Sequence, residues 1–249
     1  MGTVQLRENE VLNDLLGYDN LKIIQRKDMF SFSLDSVLLA NFMTVNKRFK
    51  KMVDLGTGNA PIPLFLSTRT KVRIIGVEIQ DEAYDIAIRN VNLNGLTGQI
   101  EIIRSDIKGI NKLIGSQSFD AVVCNPPFFK ITDKANMSKN AYQKLARHEV
   151  MITLEEIVKE ANLLLTFGGY FSMVHRPDRL LDIFELFRKY NIEPKRLRLV
   201  YPKYGKESNM VLLEGQKGNK GGLRILAPLY VHDTNNEYSA EVKTMFMRE

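Results

Sequence analysis

One cysteine, Cys124, and no tryptophan occur in the 249 residues of this chain. A single thiol excludes an internal disulfide, so the fold must rest on its core and not on covalent staples. Three histidines, His148, His175 and His232, are too scattered to supply ligand spacing for zinc, and no metal is expected. No apolar run approaches the ~18–20 residues needed to cross a bilayer. The opening stretch, MGTVQLRENEVLND, lacks the basic-then-apolar layout of a secretion signal. A cytoplasmic protein with no membrane partner is expected. Internal repeats and low-complexity linkers are missing as well, so the expectation is one domain over residues 1–249. What is present is ordinary: 44% of residues are hydrophobic, enough for a proper core.

The formal charge is +6, and the excess is clustered. Lys22, Arg26, Lys27, Lys47, Arg48, Lys50 and Lys51 crowd the first fifth of the chain. Lys130, Lys134, Lys139, Lys144 and Arg147 form a second group, and Arg188, Lys189, Lys195, Arg196, Arg198, Lys203 and Lys206 a third. A solvated surface is the plainer reading of any one cluster. Three on one chain point toward a polyanion, because each phosphate neutralised releases condensed counterions.

After residue 50, short β-branched runs alternate with longer amphipathic ones: KMVDLG then PIPLFLSTR, VRIIGVEI then DEAYDIAIRNVNLNG, QIEIIRSDI, FDAVVCNPP then TLEEIVKEANLLLTFGG. That alternation predicts a parallel sheet with crossover helices. Asp81 is placed to cap the second helix, with Gly95 as its stop. Thr153 and Glu156 have capping-box spacing, in a helix expected to end at Gly168-Gly169. GGYFSMVHR reads as a further strand and PDRLLDIFELFRKY as a helix opened by Pro177. RLRLVYP and NMVLLEG read as two strands whose short link forces them antiparallel. The expected fold class is therefore α/β, a mostly parallel sheet ending in an antiparallel pair. Residues 1–50 precede its first strand and are expected to pack over the cofactor or substrate side. The last fifteen or so residues look like a terminal strand and tail.

VDLGTGNAPIPL places Asp54, Gly56 and Gly58 on the turn from the first strand of the sheet into its first helix. Glycines there let a ligand approach the backbone, with the helix N-terminus facing the same crevice. The third glycine of a dinucleotide fingerprint is absent, since Ala60 and Pro61 stand there. Glu78 closes the next strand, about twenty residues past the glycines, where a carboxylate can meet ribose hydroxyls. Asp106 closes the third, where it could meet an adenine amino group. Three acids at the carboxyl ends of three successive strands favour an adenosyl ligand.

The fourth strand runs into VVCNPPFFK. Asp54-x-Gly56-x-Gly58, Glu78, Asp106 and Asn125-Pro126-Pro127-Phe128, in this order and spacing, resemble the class I S-adenosylmethionine-dependent methyltransferases over roughly residues 30–215. The departure is Ala60, where many members have glycine. The resemblance implies a Rossmann-like, seven-stranded sheet with an antiparallel strand at one edge, and S-adenosylmethionine as cofactor. It implies a cofactor site of Asp54, Gly56, Gly58, Glu78 with Ile79, Asp106 with Ile107, and Asn125. Phe32, Ser33 and Asp35, from FSFSLDSVLLANF, are implied to close over the methionine end. Asn125, Pro126, Pro127 and Phe128 are implied as the catalytic set.

That set suits a planar amine, whose lone pair is delocalised and must be drawn out. The Asn125 side-chain oxygen and the Pro126 carbonyl can each accept one N–H, orienting the amine toward an activated methyl group. The prolines stiffen the loop, and Phe128 offers a face on which a base can stack. Cys124, by contrast, is expected to be a buried strand residue. Similar tetrapeptides serve adenine N6, guanine N2 in ribosomal RNA, or a protein glutamine amide. The compact layout is most similar to the bacterial enzymes that modify tRNA1(Val) at N6 of the adenosine just 3′ to the anticodon, with the ribosomal RNA, protein-amide and noncatalytic RNA-binding readings left as alternatives. An anticodon loop offers an unpaired base that can be splayed into a pocket at low unstacking cost. RNA contacts are expected from Lys130, Lys134, Lys139 and Arg147 after the motif, and from Arg196, Arg198 and Lys203, the two arginines sharing one strand face.

Overall fold

In the computed structural model, which describes residues 5–15, 18–26, 34–126 and 152–246, most of the β-branched runs become strands buried on both faces, the exception being the strand at Ile100–Arg104. β1 (Glu10–Leu15) and β2 (Tyr18–Arg26) form an antiparallel pair apart from the main sheet. There follow α1 (Leu34–Phe42), β3 (Lys51–Leu55), α2 (Pro61–Ser67), β4 (Arg73–Glu78), α3 (Asp81–Leu93), β5 (Ile100–Arg104), α4 (Ile110–Ile114) and β6 (Phe119–Cys124). After residue 151 come α5 (Leu154–Leu164), β7 (Leu165–His175), a 3₁₀ turn at Pro177–Arg179, α6 (Leu180–Lys189), β8 (Ile192–Lys203), β9 (Met210–Lys217), β10 (Arg224–Ile225), β11 (Leu229–His232) and α7 (Ala240–Phe246).

The main sheet has the order β10-β8-β9-β7-β6-β3-β4-β5, with β11 pairing β8 further along. Seven long strands make the expected sheet, and the short β10 and β11 extend it to nine. β9 runs antiparallel to both β7 and β8, while the other pairings are parallel. Residues 204–209 are too few for a crossover, which is why β8 and β9 pair head to tail. From β3 the chain builds outward through β4 and β5, then returns to add β6 and β7 on the other side. The switch point falls between β3 and β6, and a crevice opens there at the carboxyl ends of the strands.

Helices cover both faces, so the strands need no polar side. Met52 and Val123 belong to the core beneath α1, α2 and α7; their neighbours Val53 and Val122 belong to the core beneath α4, α5 and α6. Phe65, Phe119, Phe171 and Phe187 are fully buried. Emptying one such site costs about 3–5 kcal/mol.

Several boundaries differ from expectation. Gln80, not Asp81, is the cap residue of α3, and Asp81 lies inside its first turn. The stop is as expected: Gly95 is left-handed, Gly95 N–H donates to the Asn92 carbonyl and Leu96 N–H to Val91. Thr153 and Glu156 form the full capping box, but α5 ends at Leu164 instead of Gly168-Gly169. Gln117 and Ser118 donate their N–H groups to the Leu163 and Leu164 carbonyls at 2.8 and 2.9 Å, closing the helix end where β7 begins. The last described residues form α7 and not a strand, because Val242 and Phe246, four apart, bury on the face that carries α1.

Candidate functional site

Gly56 and Gly58 both adopt positive φ, 73° and 56°, so the chain leaves β3 by a turn that L side chains rarely follow. Ala60 takes the same left-handed conformation, at φ 67° and ψ 35°, and caps α2. An alanine can sit there at a cost of roughly 1 kcal/mol, so the missing third glycine does not change the path of the turn. The Gly56 and Thr57 N–H groups both donate to the Val77 carbonyl at 2.9 Å, pinning the turn to β4. A Cβ on Gly58 would meet nothing within 4 Å among the described residues, leaving that side of the turn room for a ligand. A Cβ on Gly56 would stand 3.9 Å from Ile107 Cδ1, which places Ile107 beside the same turn.

Asp54 is 1% exposed. Its Oδ2 accepts from the Thr57 hydroxyl at 2.6 Å, while Oδ1 has no hydrogen-bond partner among the described residues. Burial raises its pKa to about 7; the Thr57 bond works against that rise, and the Glu78 charge adds to it. Glu78 is also buried, but its oxygens are held. Oε2 accepts from Gly58 N–H at 2.8 Å, and Oε1 from the N–H groups of Ile79 and Gln80, each at 2.9 Å. The carboxylate thereby organises the turn it faces. Asp106 is half-buried and accepts from Lys108 N–H at 2.9 Å, while Ser105 N–H donates to the Glu78 carbonyl, drawing the ends of β4 and β5 together.

Asn125 follows β6 directly and is half-buried; Pro126 is buried. The Asn125 amide donates to the Ser36 hydroxyl on α1 at 3.3 Å, an arrangement that leaves its oxygen to accept. Asp35 lies beside Ser36 in the first turn of α1. Cys124 is buried, and burial raises its thiol pKa, with the Asp54 charge adding to the rise. Phe32, Ser33, Pro127, Phe128, Lys130, Lys134, Lys139 and Arg147 lie outside the described residues.

The basic residues of β8 need a correction. Arg196 and Arg198 share a face, but both are engaged inside the fold. Arg196 donates to Glu214 at 2.8 Å, to the Phe42 carbonyl at 2.7 Å and to Thr44 at 3.1 Å, and lies over the Phe42 ring. Arg198 grips Glu241 through two bonds of 2.6 and 2.8 Å and donates to the Ala227 carbonyl. Three of the five N–H donors of each guanidinium are taken by these bonds, and each charge is paired with a carboxylate. Lys203 is different, donating among the described residues to the neutral side chain of Asn236 at 3.1 Å.

Four positions escaped the sequence. Ser36 orients Asn125, and Thr57 is the one donor to Asp54 among the described residues. Gly76 in β4 leaves the space Thr57 uses, since a Cβ there would come within 2.9 Å of the Thr57 methyl. Asn90 of α3, fully buried, accepts from Ile24 N–H at 2.6 Å and donates to the Asn59 carbonyl at 2.9 Å, joining β2 to the glycine turn. Ser, Thr, Gly and Asn carry no signal until their neighbours in space are known.

A carboxyl oxygen that is buried and unpaired, over a turn with open space at Gly58, suits a ligand bearing donors or positive charge. With the acids at the ends of β4 and β5, this set of acceptors fits an adenosyl sulfonium. Residues 20–190 match the family model described as the methyltransferase small domain. A tRNA1(Val) (adenine(37)-N6)-methyltransferase of Porphyromonas gingivalis is 31% identical over 194 residues, covering 76% of this chain and 75% of that protein. One of the same name from Flavobacterium psychrophilum is 24% identical over 240 residues, 94% of this chain and all of the relative. Among solved structures, a predicted O-methyltransferase from Agrobacterium tumefaciens superposes with a TM-score of 0.69 at 20% identity, covering 85% of this chain and 95% of that one. Geranyl diphosphate C-methyltransferase from Streptomyces coelicolor, solved with S-adenosyl-L-homocysteine, superposes at 0.55 with 10% identity, over 73% and 76% of the two chains. At these identities the structures speak for the fold alone.

Proposed function

The chain belongs to the methyltransferase small domain family, and from that premise we propose that it methylates the N6 amine of an adenine in tRNA, the adenine at position 37 of tRNA1(Val) as in its named relatives, with S-adenosylmethionine as donor. The observation that carries the reading is the unpaired, buried Asp54 oxygen beside the open glycine turn, one strand away from Asn125. Bound there, the cofactor supplies an electrophilic methyl group on a sulfonium sulfur. Asp54, Gly56, Gly58, Glu78, Ile79, Asp106 and Ile107 would hold it, with Asp35 and the adjoining Phe32 and Ser33 toward the methionine end.

Asn125 and Pro126 act on the substrate. The Asn125 oxygen and the Pro126 carbonyl accept the two N–H groups of the adenine amine, turning its lone pair toward the methyl group. These acceptors are set before reaction, and the Ser36 contact keeps the Asn125 amide in one orientation. No general base is needed, because the nitrogen becomes strongly acidic as it gains the methyl and loses a proton to water. Pro127 stiffens the loop and Phe128 supplies a stacking face, while Lys130, Lys134, Lys139 and Arg147 suit the phosphates of the anticodon arm. The work of such an enzyme lies in the cytoplasm.

Tritiated methyl transfer into total tRNA from a strain lacking the gene, followed by nucleoside mass spectrometry, tests the reading. N6-methyladenosine at position 37 of tRNA1(Val) is expected, and N2-methylguanosine or no incorporation would overturn it. Asn125→Ala should bind the cofactor nearly as wild type while losing at least about a hundredfold in methyl transfer. Unchanged turnover would remove Asn125 from its role.

A further inference from the structure

The third basic cluster divides in the fold. Arg196 and Arg198 are consumed by Glu214 and Glu241, and Lys189 by Glu155. Lys203 and Lys206 meet no carboxylate in an ion pair among the described residues. These two lysines flank Tyr204, which is 83% exposed and is held out by a turn through left-handed Gly205. Tyr204 is not isolated. Its ring lies 5.9 Å from Tyr230, and Tyr230, opposite Tyr201 in the β8–β11 ladder, lies 5.5 Å from that ring. Beside them a groove of about 570 Å³ is lined by Pro202, Lys203, Lys206, Glu207, His232 and Asn236, two lysines against one acid. An exposed tyrosine backed by two more and flanked by unneutralised lysines matches what unpaired nucleic acid requires: a flat face for a base and cations for its phosphates.

Its position agrees. β9 is antiparallel to both β7 and β8, so β8 runs in the same direction as β7 and β6. The tyrosines therefore lie on the carboxyl edge of the sheet, the edge that carries Asn125. Cys124 aligns through Met173 and Leu213 with Leu197, and Tyr201 is four residues further along β8. Three strand spacings and four residues of rise separate the two places by roughly 20 Å.

We propose that Tyr204, supported by Tyr230 and Tyr201 and flanked by Lys203 and Lys206, stacks an unpaired base of the RNA substrate roughly 20 Å from the target amine. The proposal rests on the reading of this chain as a tRNA methyltransferase. Binding of a fluorescent tRNA1(Val) transcript to the full chain, measured by anisotropy over a salt series, tests it together with KM and kcat. Tyr204→Ala should weaken RNA binding and raise KM for tRNA about tenfold, with calorimetric affinity for S-adenosylmethionine unchanged. Tyr204→Phe, which keeps the ring, should restore most of that loss. Lys206→Ala should weaken binding and lower the salt slope by about one. Leu181→Ala, an exposed apolar truncation on α6, serves as the control and should match wild type.

Wild-type affinity and KM in Tyr204→Ala, with tRNA still methylated, would overturn the platform and leave the enzymatic reading standing. A wild-type protein that binds RNA through Tyr204 yet methylates no tRNA would keep the platform and overturn the substrate. No RNA binding by the wild type would overturn both.

Discussion

Among the carboxylates buried in the main sheet, Glu214 and Asp54 are treated in opposite ways. Glu214, in β9, is fully buried and fully answered: the Thr44 N–H and hydroxyl and the Ser172 hydroxyl donate at 2.7 Å, and Arg196 at 2.8 Å. The same Arg196 holds the last carbonyl of α1, so Glu214 locks that helix to three strands. Asp54, in β3, has one donor for two oxygens among the described residues, and burial raises its pKa to about 7. A buried carboxylate with every lone pair used is architecture. One left half answered makes the fold less stable and is kept where a ligand completes it.

Breaking the comparison at Glu214 should have the largest effect. Glu214→Gln strands the Arg196 charge among groups arranged for an anion, and about 3–5 kcal/mol of stability should be lost. For a chain of this length that lowers the melting temperature by roughly 10 °C, read by circular dichroism. A shift of only a degree or two would mean that Arg196 finds another partner at no cost.

Asp54→Asn should do the reverse in the ligand-free protein. Between the ordinary aspartate pKa near 4 and about 7, the folded state holds a proton that the unfolded state has lost. Asp54 therefore costs stability as pH rises through that window, on the order of 4 kcal/mol by its upper end. A neutral asparagine has no such dependence. Denaturant unfolding should show the variant gaining on wild type from pH 5 to pH 8, while its affinity for S-adenosylmethionine falls at least about tenfold. A gap that stays constant with pH would refute the buried proton. A cationic ligand should also drive that proton off on binding near pH 7, seen in wild type and not in Asp54→Asn by calorimetry in buffers of different ionisation enthalpy.

Gly76→Ala sharpens the contrast with the smallest change. Its methyl must displace Thr57 or Ile102, loosening the one bond Asp54 has, and should cost about 1–3 kcal/mol together with some cofactor affinity. Equal affinity with lowered stability would show that Thr57 serves packing alone.

Most of the sheet was legible because β3, β4 and β6 are short, mainly apolar runs followed closely by glycine, acid or proline, and the helices between them carry period and caps. The N-terminal hairpin was not. Ile23, Ile24 and Gln25 are buried in succession because β2 packs on α3 as well as on the core, and a strand covered on both sides shows no alternation. α7 was misread for a related cause: in seven residues Val242 and Phe246 show too little period to be told from a strand.

The candidate site divides along the same line. Asp54, Gly56, Gly58, Glu78 and Asn125 lie at strand ends, and strand ends are punctuated in the sequence. Order along the chain therefore settled which groups gather at the carboxyl edge, since consecutive parallel strands with crossover helices bring those ends together wherever they occur. Folding alone decided which charges remain available. Arg196 meets Glu214 from 18 positions away and Arg198 meets Glu241 from 43, whereas Lys203 and Lys206 meet no acid among the described residues. Neutralisation depends on distance in space, and no local period or composition carries it.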